Sequence, residues 1–244
     1  MTNICSLIDL GLTPYKEALS LQRRLAELRA RGCIGDLLLL LQHPPVITLG
    51  RGGRKEHLLA PESSLSAMGI EFFQVERGGD ITYHGPGQLI GYPILDLTEH
   101  GRDVRRYLRR LEGVLIETLA TWGIEASRVI GRTGVWAGGG KIASIGIHVS
   151  RWVTRHGFAL NVDTDLTPFE LIVPCGIQGA TPTSMAKTLC RPVVMDEVIP
   201  TLAERFEATF GACLVPTSLT GLLSASSTPE NDLPISSPIR DAAA

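Results

Sequence analysis

Val173-Pro174-Cys175-Gly176-Ile177 sets a thiol on a tight turn, between a proline that fixes φ and a glycine that frees it. A cysteine kept for packing usually stands inside an apolar periodic run, as Cys213 nearly does. A free thiol has a pKa of about 8.5, so only a small fraction is thiolate at neutral pH. A lysine ammonium nearby would lower that pKa and enlarge the nucleophilic fraction. Lys141 is such a lysine in type, because it follows Gly138-Gly139-Gly140 and opens the apolar stretch Ile142 to Val149. A third segment, Arg77-Gly78-Gly79-Asp80-Ile81-Thr82-Tyr83-His84-Gly85-Pro86-Gly87-Gln88, is dense in glycine and polar groups. Its glycines permit positive φ and close approach of backbone to a ligand. The stretch His156-Gly157-Phe158-Ala159 is likewise broken by glycine beside an apolar strand. On residue types alone each feature also has a plain reading: an inert turn cysteine, a solvent-facing lysine, a polar hairpin turn, an ordinary strand end.

Other chemistries are excluded by spacing. Gly138-Gly139-Gly140-Lys141 lacks the glycine and the hydroxyl residue that a phosphate loop needs at positions 135 and 142, which hold Val135 and Ile142. Gly85-Pro86-Gly87 precedes a strand, where a dinucleotide site requires a helix. The histidines at 43, 57, 84, 100, 148 and 156 are scattered, so no metal site is expected, and no cofactor. The cysteines, Cys5, Cys33, Cys175, Cys190 and Cys213, are odd in number and form no CxxC, which speaks against a disulfide framework. With 23 basic and 25 acidic residues, the formal charge of −2 argues against a nucleic-acid binder held by bulk phosphate attraction. The first twelve residues show no secretory pattern, and the longest wholly apolar run, Leu37 to Leu41, is too short for a bilayer. A reduced, cytoplasmic protein without membrane contact is the expectation.

The elements that must hold these residues can be placed from periodicity. Thr13-Pro14 opens a helix with a stripe at Ala18, Leu21, Leu25 and Leu28, closed by Gly32. Leu37 to Leu41 reads as a strand buried on both faces. Val46–Leu49, Phe72–Glu76, Ile81–Tyr83 and Leu89–Leu95 follow as strands. Asp103 caps a second helix with an inner face of Val104, Leu108, Leu111, Leu115 and Leu119. Strands are expected at Val135-Trp136, Ile142–Val149 and Phe158–Val162, a short helix from Thr167-Pro168, and a last helix over Asp196–Phe210. The pattern predicts an α/β fold of the α+β type, a mixed sheet flanked by helices. One catalytic domain is expected over 1–216, with a structureless C-terminal tail over 217–244, where Ser, Thr, Pro and Asn dominate.

Taken together, the segments resemble the lipoyl(octanoyl) transferases. The resemblance rests on His43-Pro44-Pro45-Val46 with Thr48-Leu49-Gly50-Arg51, on Arg77 through Gln88, and on Thr133-Gly134-Val135-Trp136. It continues through Lys141-Ile142-Ala143-Ser144-Ile145-Gly146-Ile147, His156 through Asn161, and Pro174-Cys175-Gly176-Ile177, in family order from about residue 5 to 212. His148, Trp152 and Arg155 depart from the family pattern. The resemblance implies the fold of biotin and lipoate protein ligase catalytic domains. It implies transfer of an octanoyl group from octanoyl-acyl carrier protein to a lysine of lipoyl domains, those of 2-oxoacid dehydrogenases and the glycine cleavage H protein. Cys175 matches the nucleophile and Lys141 its activator. Arg77, Gly78, Gly79, Asp80, Ile81, Thr82, Tyr83 and His84 match the acyl-binding segment, with Ser144, Ile145, Gly146, Gly157, Phe158 and Ala159. Arg102, Arg105, Arg106, Arg109 and Arg110 crowd the second helix, where an acidic carrier would dock, with Arg51 and Arg54 as further contacts. Three other readings stay open: an ATP-dependent lipoate or biotin ligase of the same fold, a non-catalytic binder of acylated domains, and a cysteine hydrolase releasing the free acid.

Overall fold

Five consecutive leucines separate the two cores on either face of the main sheet. In the computed structural model, which describes residues 3–173 and 181–225, they lie in strand β2 (Asp36–Gln42). Alternate side chains of a strand point to opposite faces. Leu38 and Leu40 enter one core, with Leu111, Leu115, Leu202 and Phe206. Leu37, Leu39 and Leu41 enter the other, with Ala18, Leu25 and Ala26.

The helices that cover these faces are α1 (Tyr15–Ala30) on one side and α3 (Val104–Thr121) with α5 (Met195–Phe210) on the other. α3 begins at Asp103, whose carboxylate accepts the Arg106 N–H at 3.0 Å and fills a donor that helix geometry leaves open. α5 runs through Pro200 and buries Val198, Leu202, Phe206 and Phe210. Short helices α2 (Glu62–Ala67) and α4 (Met185–Leu189) lie on connections.

The main sheet has the order β11-β1-β2-β6-β10-β9-β8-β7. Its strands are β1 (Asn3–Leu12), β2, β6 (Gln88–Ile94), β7 (Ala126–Val129), β8 (Arg132–Ala137), β9 (Gly140–Ser150), β10 (Val153–Asn161) and β11 (Ala212–Pro216). β1 pairs in parallel with both β2 and β11, and the sheet from β2 to β7 is antiparallel. The mixed sheet between helices is therefore the expected one. A second sheet, β4-β3-β5, joins β3 (Val46–Leu49), β4 (Glu71–Gln74) and β5 (Ile81–His84). It encloses a third core around Ile47, Leu49, Ile81, Tyr83 and Phe169.

One expectation is corrected. Where a structureless tail is anticipated from residue 217, Leu219–Ala225 forms helix α6. Leu219, Leu222 and Leu223 stand at helical spacing and pack on the α1 side of the sheet. The Thr217 N–H donates to the Leu7 carbonyl at 2.8 Å, which ties this segment to β1. The remainder of the tail, 226–244, lies outside the described residues. Also absent from the sequence reading are β1, α2, β7, α4 and β11.

Candidate active site

The neighbouring strands β9 and β10 form the floor of a partly enclosed cavity. Their pairs Ala159↔Ser144 and Gly157↔Gly146 bring four small residues together across the two strands, so the sheet leaves room where bulkier side chains would fill it. The 77–81 segment and β5 form the wall, with Arg77, Gly79, Asp80, Ile81, Thr82 and His84 on the cavity. Ser144, Ile145, Gly146, Gly157, Phe158, Ala159 and Lys141 complete the residues expected there that line it.

Two expected residues are not on the cavity. Tyr83 points into the third core, its ring 5.5 Å from that of Phe169, because it alternates with Thr82 and His84 along β5. Gly78 instead pins the wall to the floor: its N–H donates to the Ile147 carbonyl at 2.8 Å. Cys175 lies outside the described residues. The chain leading to it is tied down at Val173, whose N–H donates to the His57 carbonyl at 2.8 Å.

Lys141 opens β9 and is buried. Its backbone N–H donates to the Thr181 carbonyl at 2.9 Å, and its carbonyl accepts the Thr183 N–H at 3.0 Å. The chain that returns after residue 180 is thus strung along the lysine. The Lys141 Nζ stands 5.3 Å from the centre of the Trp136 ring.

Arg77 is buried with its guanidinium folded onto Thr48: Nη2 donates to the Thr48 carbonyl at 2.7 Å and to Oγ1 at 2.8 Å. Asp80 takes the His57 Nδ1–H at 2.5 Å, and Arg54 Nη2 donates to the other ring nitrogen at 3.2 Å. His57 therefore links Arg54 of the preceding loop, the cavity wall and the chain at Val173. Glu76, at the outer rim, is bridged by Arg23 and Arg155. Burial alone would raise its pKa, but the arginines overcome this and hold it at about 2. Arg155 and His148, two of the departures from the family pattern, both meet Glu76, His148 through the Glu76 carbonyl.

The inner end of the cavity holds Tyr15 from α1 and Tyr92 from β6, both missing from the sequence reading, and His156 from β10, which that reading singles out beside Gly157 but does not count among the acyl-binding residues. Tyr92 offered one signal, since it is the polar-tipped member of the inward set Ile90, Tyr92, Ile94. His43 lies behind them, its Nδ1 donating to the Thr13 carbonyl and its Nε2 accepting from the Tyr92 hydroxyl, both at 2.7 Å. Burial pushes the pKa of His43 down to about 4 and of His84 and His156 to about 3. All three rings are neutral at pH 7, so the cavity interior carries no histidine charge.

The arrangement is an apolar trough with small residues on its floor, neutral rings at its inner end and a lysine where β9 begins. It can hold an acyl chain and offer an amine to a reaction at the carbonyl. Among the described residues no cluster of His, Cys, Asp and Glu is arranged for a metal, and no helix is long and apolar enough to cross a membrane.

Comparison with known proteins agrees with this geometry. Residues 14–207 match the lipoyl protein ligase A/B catalytic domain. The chain is 53% identical to the octanoyltransferase of Solibacter usitatus, over 87% of this chain and 96% of that one. It is 51% identical to the octanoyltransferase of Gloeobacter violaceus, over 90% and 96%. In fold it is similar to a lipoate-protein ligase A crystallised with ATP, with a TM-score of 0.72 at 18% identity, over 93% of each chain. A biotin protein ligase from Aquifex aeolicus is more distant, with a TM-score of 0.50 at 15% identity over 86% of this chain and 70% of that one. The trough, the lysine and half the sequence shared along nearly the whole length give one conclusion: the chain belongs to the lipoyl protein ligase A/B catalytic-domain family and, within it, to the octanoyltransferases.

Proposed function

We propose that this protein moves an octanoyl group from octanoyl-acyl carrier protein to a lysine of a lipoyl domain through a thioester on Cys175. The Cys175 Sγ attacks the carbonyl of the carrier thioester. The tetrahedral intermediate collapses, the carrier's thiol leaves with a proton, and an octanoyl-Cys175 thioester remains. The acceptor's ε-amine then attacks that carbonyl, an amide forms, and Sγ leaves. Lys141 takes a proton from the thiol or the incoming amine and, as an ammonium, stabilises the thiolate. No ATP and no metal enters either step.

The observation that carries this reading is the trough itself, lined by Ser144, Gly146, Gly157 and Ala159 and containing Lys141, in a chain about half identical to octanoyltransferases. Seven carbons beyond the carbonyl, buried there, contribute on the order of 5 kcal/mol at about 0.8 kcal/mol per methylene. Residues 1–216 act as one catalytic unit, in the cytoplasm. The acceptors are the lipoyl domains of 2-oxoacid dehydrogenases and the glycine cleavage H protein. The carrier docks on Arg105 and Arg106, two exposed arginines in the first turn of α3. The other arginines of that stretch are engaged: Arg102 lies over Trp152, Arg109 bonds Glu112, and Arg110 bonds the Thr209 carbonyl.

The test is intact-protein mass after incubation with octanoyl-acyl carrier protein and no ATP. The expected result is a hydroxylamine-labile gain of one octanoyl group, absent in Cys175→Ser. No adduct, with transfer appearing only on addition of ATP and free acid, would make the chain a ligase.

A further inference from the structure

Gly134 has a backbone that other residues rarely adopt, with φ +127°. A Cβ there would lie 2.7 Å from Lys141 Cε and 2.6 Å from the Ala143 carbonyl oxygen. The stem of Lys141 therefore runs over the bare Cα of this glycine. The glycine is itself fixed. Its N–H donates at 3.3 Å to Oε1 of Glu112, a residue 1% exposed in the middle of α3. The other carboxylate oxygen accepts from Arg109 Nη1 at 2.7 Å and Arg128 Nε at 2.9 Å. Beyond the stem, Trp136 pairs with Lys141 across β8 and β9. Residues opposed in an antiparallel pair share a face, and here the ring centre is 5.3 Å from Nζ. A cation is attracted to an indole face at that distance, more strongly where water is excluded.

We propose that Trp136 is a positioning residue for the transfer: its ring face, with the Glu112-held Gly134 beneath the stem, sets where the Lys141 nitrogen stands. The inference rests on the reading of Lys141 as the activating lysine. Trp136 does not line the acyl trough, so its loss acts through the lysine and leaves acyl binding to other groups. The α3 carboxylate has a matching use, since it holds from below the one residue that gives the lysine stem its room.

The experiment is steady-state transfer by the full chain, from octanoyl-acyl carrier protein to a lipoyl domain. Trp136→Leu, which removes the π face, is expected to lower kcat about tenfold while KM for donor and acceptor stays within about twofold. Trp136→Phe, which keeps a ring face, is expected to recover most of that loss. In a Lys141→Ala background Trp136→Leu is expected to change nothing further. Should the Leu variant fold poorly, Trp136→Met serves as the second non-aromatic replacement. Equal activity of the Phe and the non-aromatic variants, whether high or low, would overturn the proposal. An active Lys141→Ala enzyme would instead overturn the reading of Lys141, and the two failures are told apart by that variant alone.

Discussion

Nδ1 of His84 and Oε1 of Gln88 stand 2.7 Å apart in the buried wall of the trough, and the rest of the network says which atom carries the proton. Asn161 Nδ2 donates to the Thr183 carbonyl at 2.8 Å, which leaves Asn161 Oδ1 as an acceptor. Gln88 Nε2 donates to that oxygen at 2.8 Å, so Gln88 Oε1 must accept from His84 Nδ1–H. Burial, with the neighbouring His43 second, holds the His84 pKa at about 3. The ring is neutral, and its Nε2 is an acceptor. An acceptor there suits the N–H of an incoming amine and cannot bond an acyl carbonyl. The chain of bonds ends at Lys141, whose carbonyl accepts from Thr183.

Replacing Gln88 by Leu should therefore hurt the second half-reaction more than the first. It leaves a buried donor without a partner, at about 1–3 kcal/mol of stability, and frees the ring to adopt the other tautomer. Single-turnover measurement should show near-normal acylation by the carrier thioester and transfer to the lipoyl domain slowed about tenfold or more. Equal slowing of both steps would remove His84 from the amine's path.

Acid should unfold this protein early. His43, His84 and His156 have folded pKa values of about 4, 3 and 3, all below the unfolded value near 6.5. As pH falls below 6.5, the unfolded chain takes up these protons first and the native state does not. Stability is thus lost from about pH 6.5 down to about 4 for His43 and about 3 for His84 and His156, at up to about 1.4 kcal/mol per pH unit for each ring. Urea unfolding at pH 7, 6 and 5 should show a steep decline, with uptake of close to three protons. A variant His156→Phe should show a shallower slope. A flat response over that range would mean that the rings are protonated in the folded protein.

What could be read from the sequence follows where physics is local. Leu37 to Leu41 announces a doubly buried strand because no polar residue interrupts it. Asp103 announces α3 because a short polar side chain before a 3.6-residue stripe has one ordinary use, and it does cap Arg106. Lys141 and the 77–84 segment stand out by residue type, and all of them but Gly78 and Tyr83 lie on one cavity. The rest depends on contacts between distant segments. Tyr15 follows an ordinary helix start, and only the folding of α1 over β10 and β6 brings it to the trough. Tyr83 looks equivalent to His84 in sequence, but strand alternation sends it to Phe169. β1 alternates poorly, and its parallel pairings with Asp36–Gln42 and Ala212–Pro216 make it a strand. The leucines of α6 are surrounded by disorder-promoting residues, so their packing partner, the α1 face, was not visible.

Gly157 should tolerate no side chain. A Cβ there would meet the Gly91 carbonyl oxygen and lie 2.7 Å from Pro93 Cδ. Both obstacles belong to the backbone or ring of β6, a central strand that cannot move aside without opening the sheet. Gly157→Ala is expected to destabilise by about 1–3 kcal/mol, as overpacking does, and to push β10 into the trough it floors. Transfer of octanoyl should fall more than transfer of a shorter acyl group, since the shorter chain needs less of the trough. Measuring both, with thermal unfolding, checks it; unchanged stability would show that β6 has more freedom than its pairing suggests.

The carrier's docking surface can be tested by charge without disturbing the fold. Arg105 and Arg106 are exposed in the first turn of α3, and the N-cap bond there uses only the Arg106 backbone N–H. Acidic residues are favoured in a helix's first turn, so Arg105→Glu with Arg106→Glu should leave stability unchanged or slightly raised. An acidic partner loses steering at these positions, and steering is screened by salt. At low ionic strength kcat/KM for octanoyl-acyl carrier protein should drop about tenfold or more. The gap should close as salt is raised, and transfer from a small neutral octanoyl thioester should be untouched. A loss shared by the small thioester would place these arginines in the fold's stability, and no loss at any salt would move the docking surface to Arg51 and Arg54, which lie on the loop whose backbone bonds to the 77–80 segment.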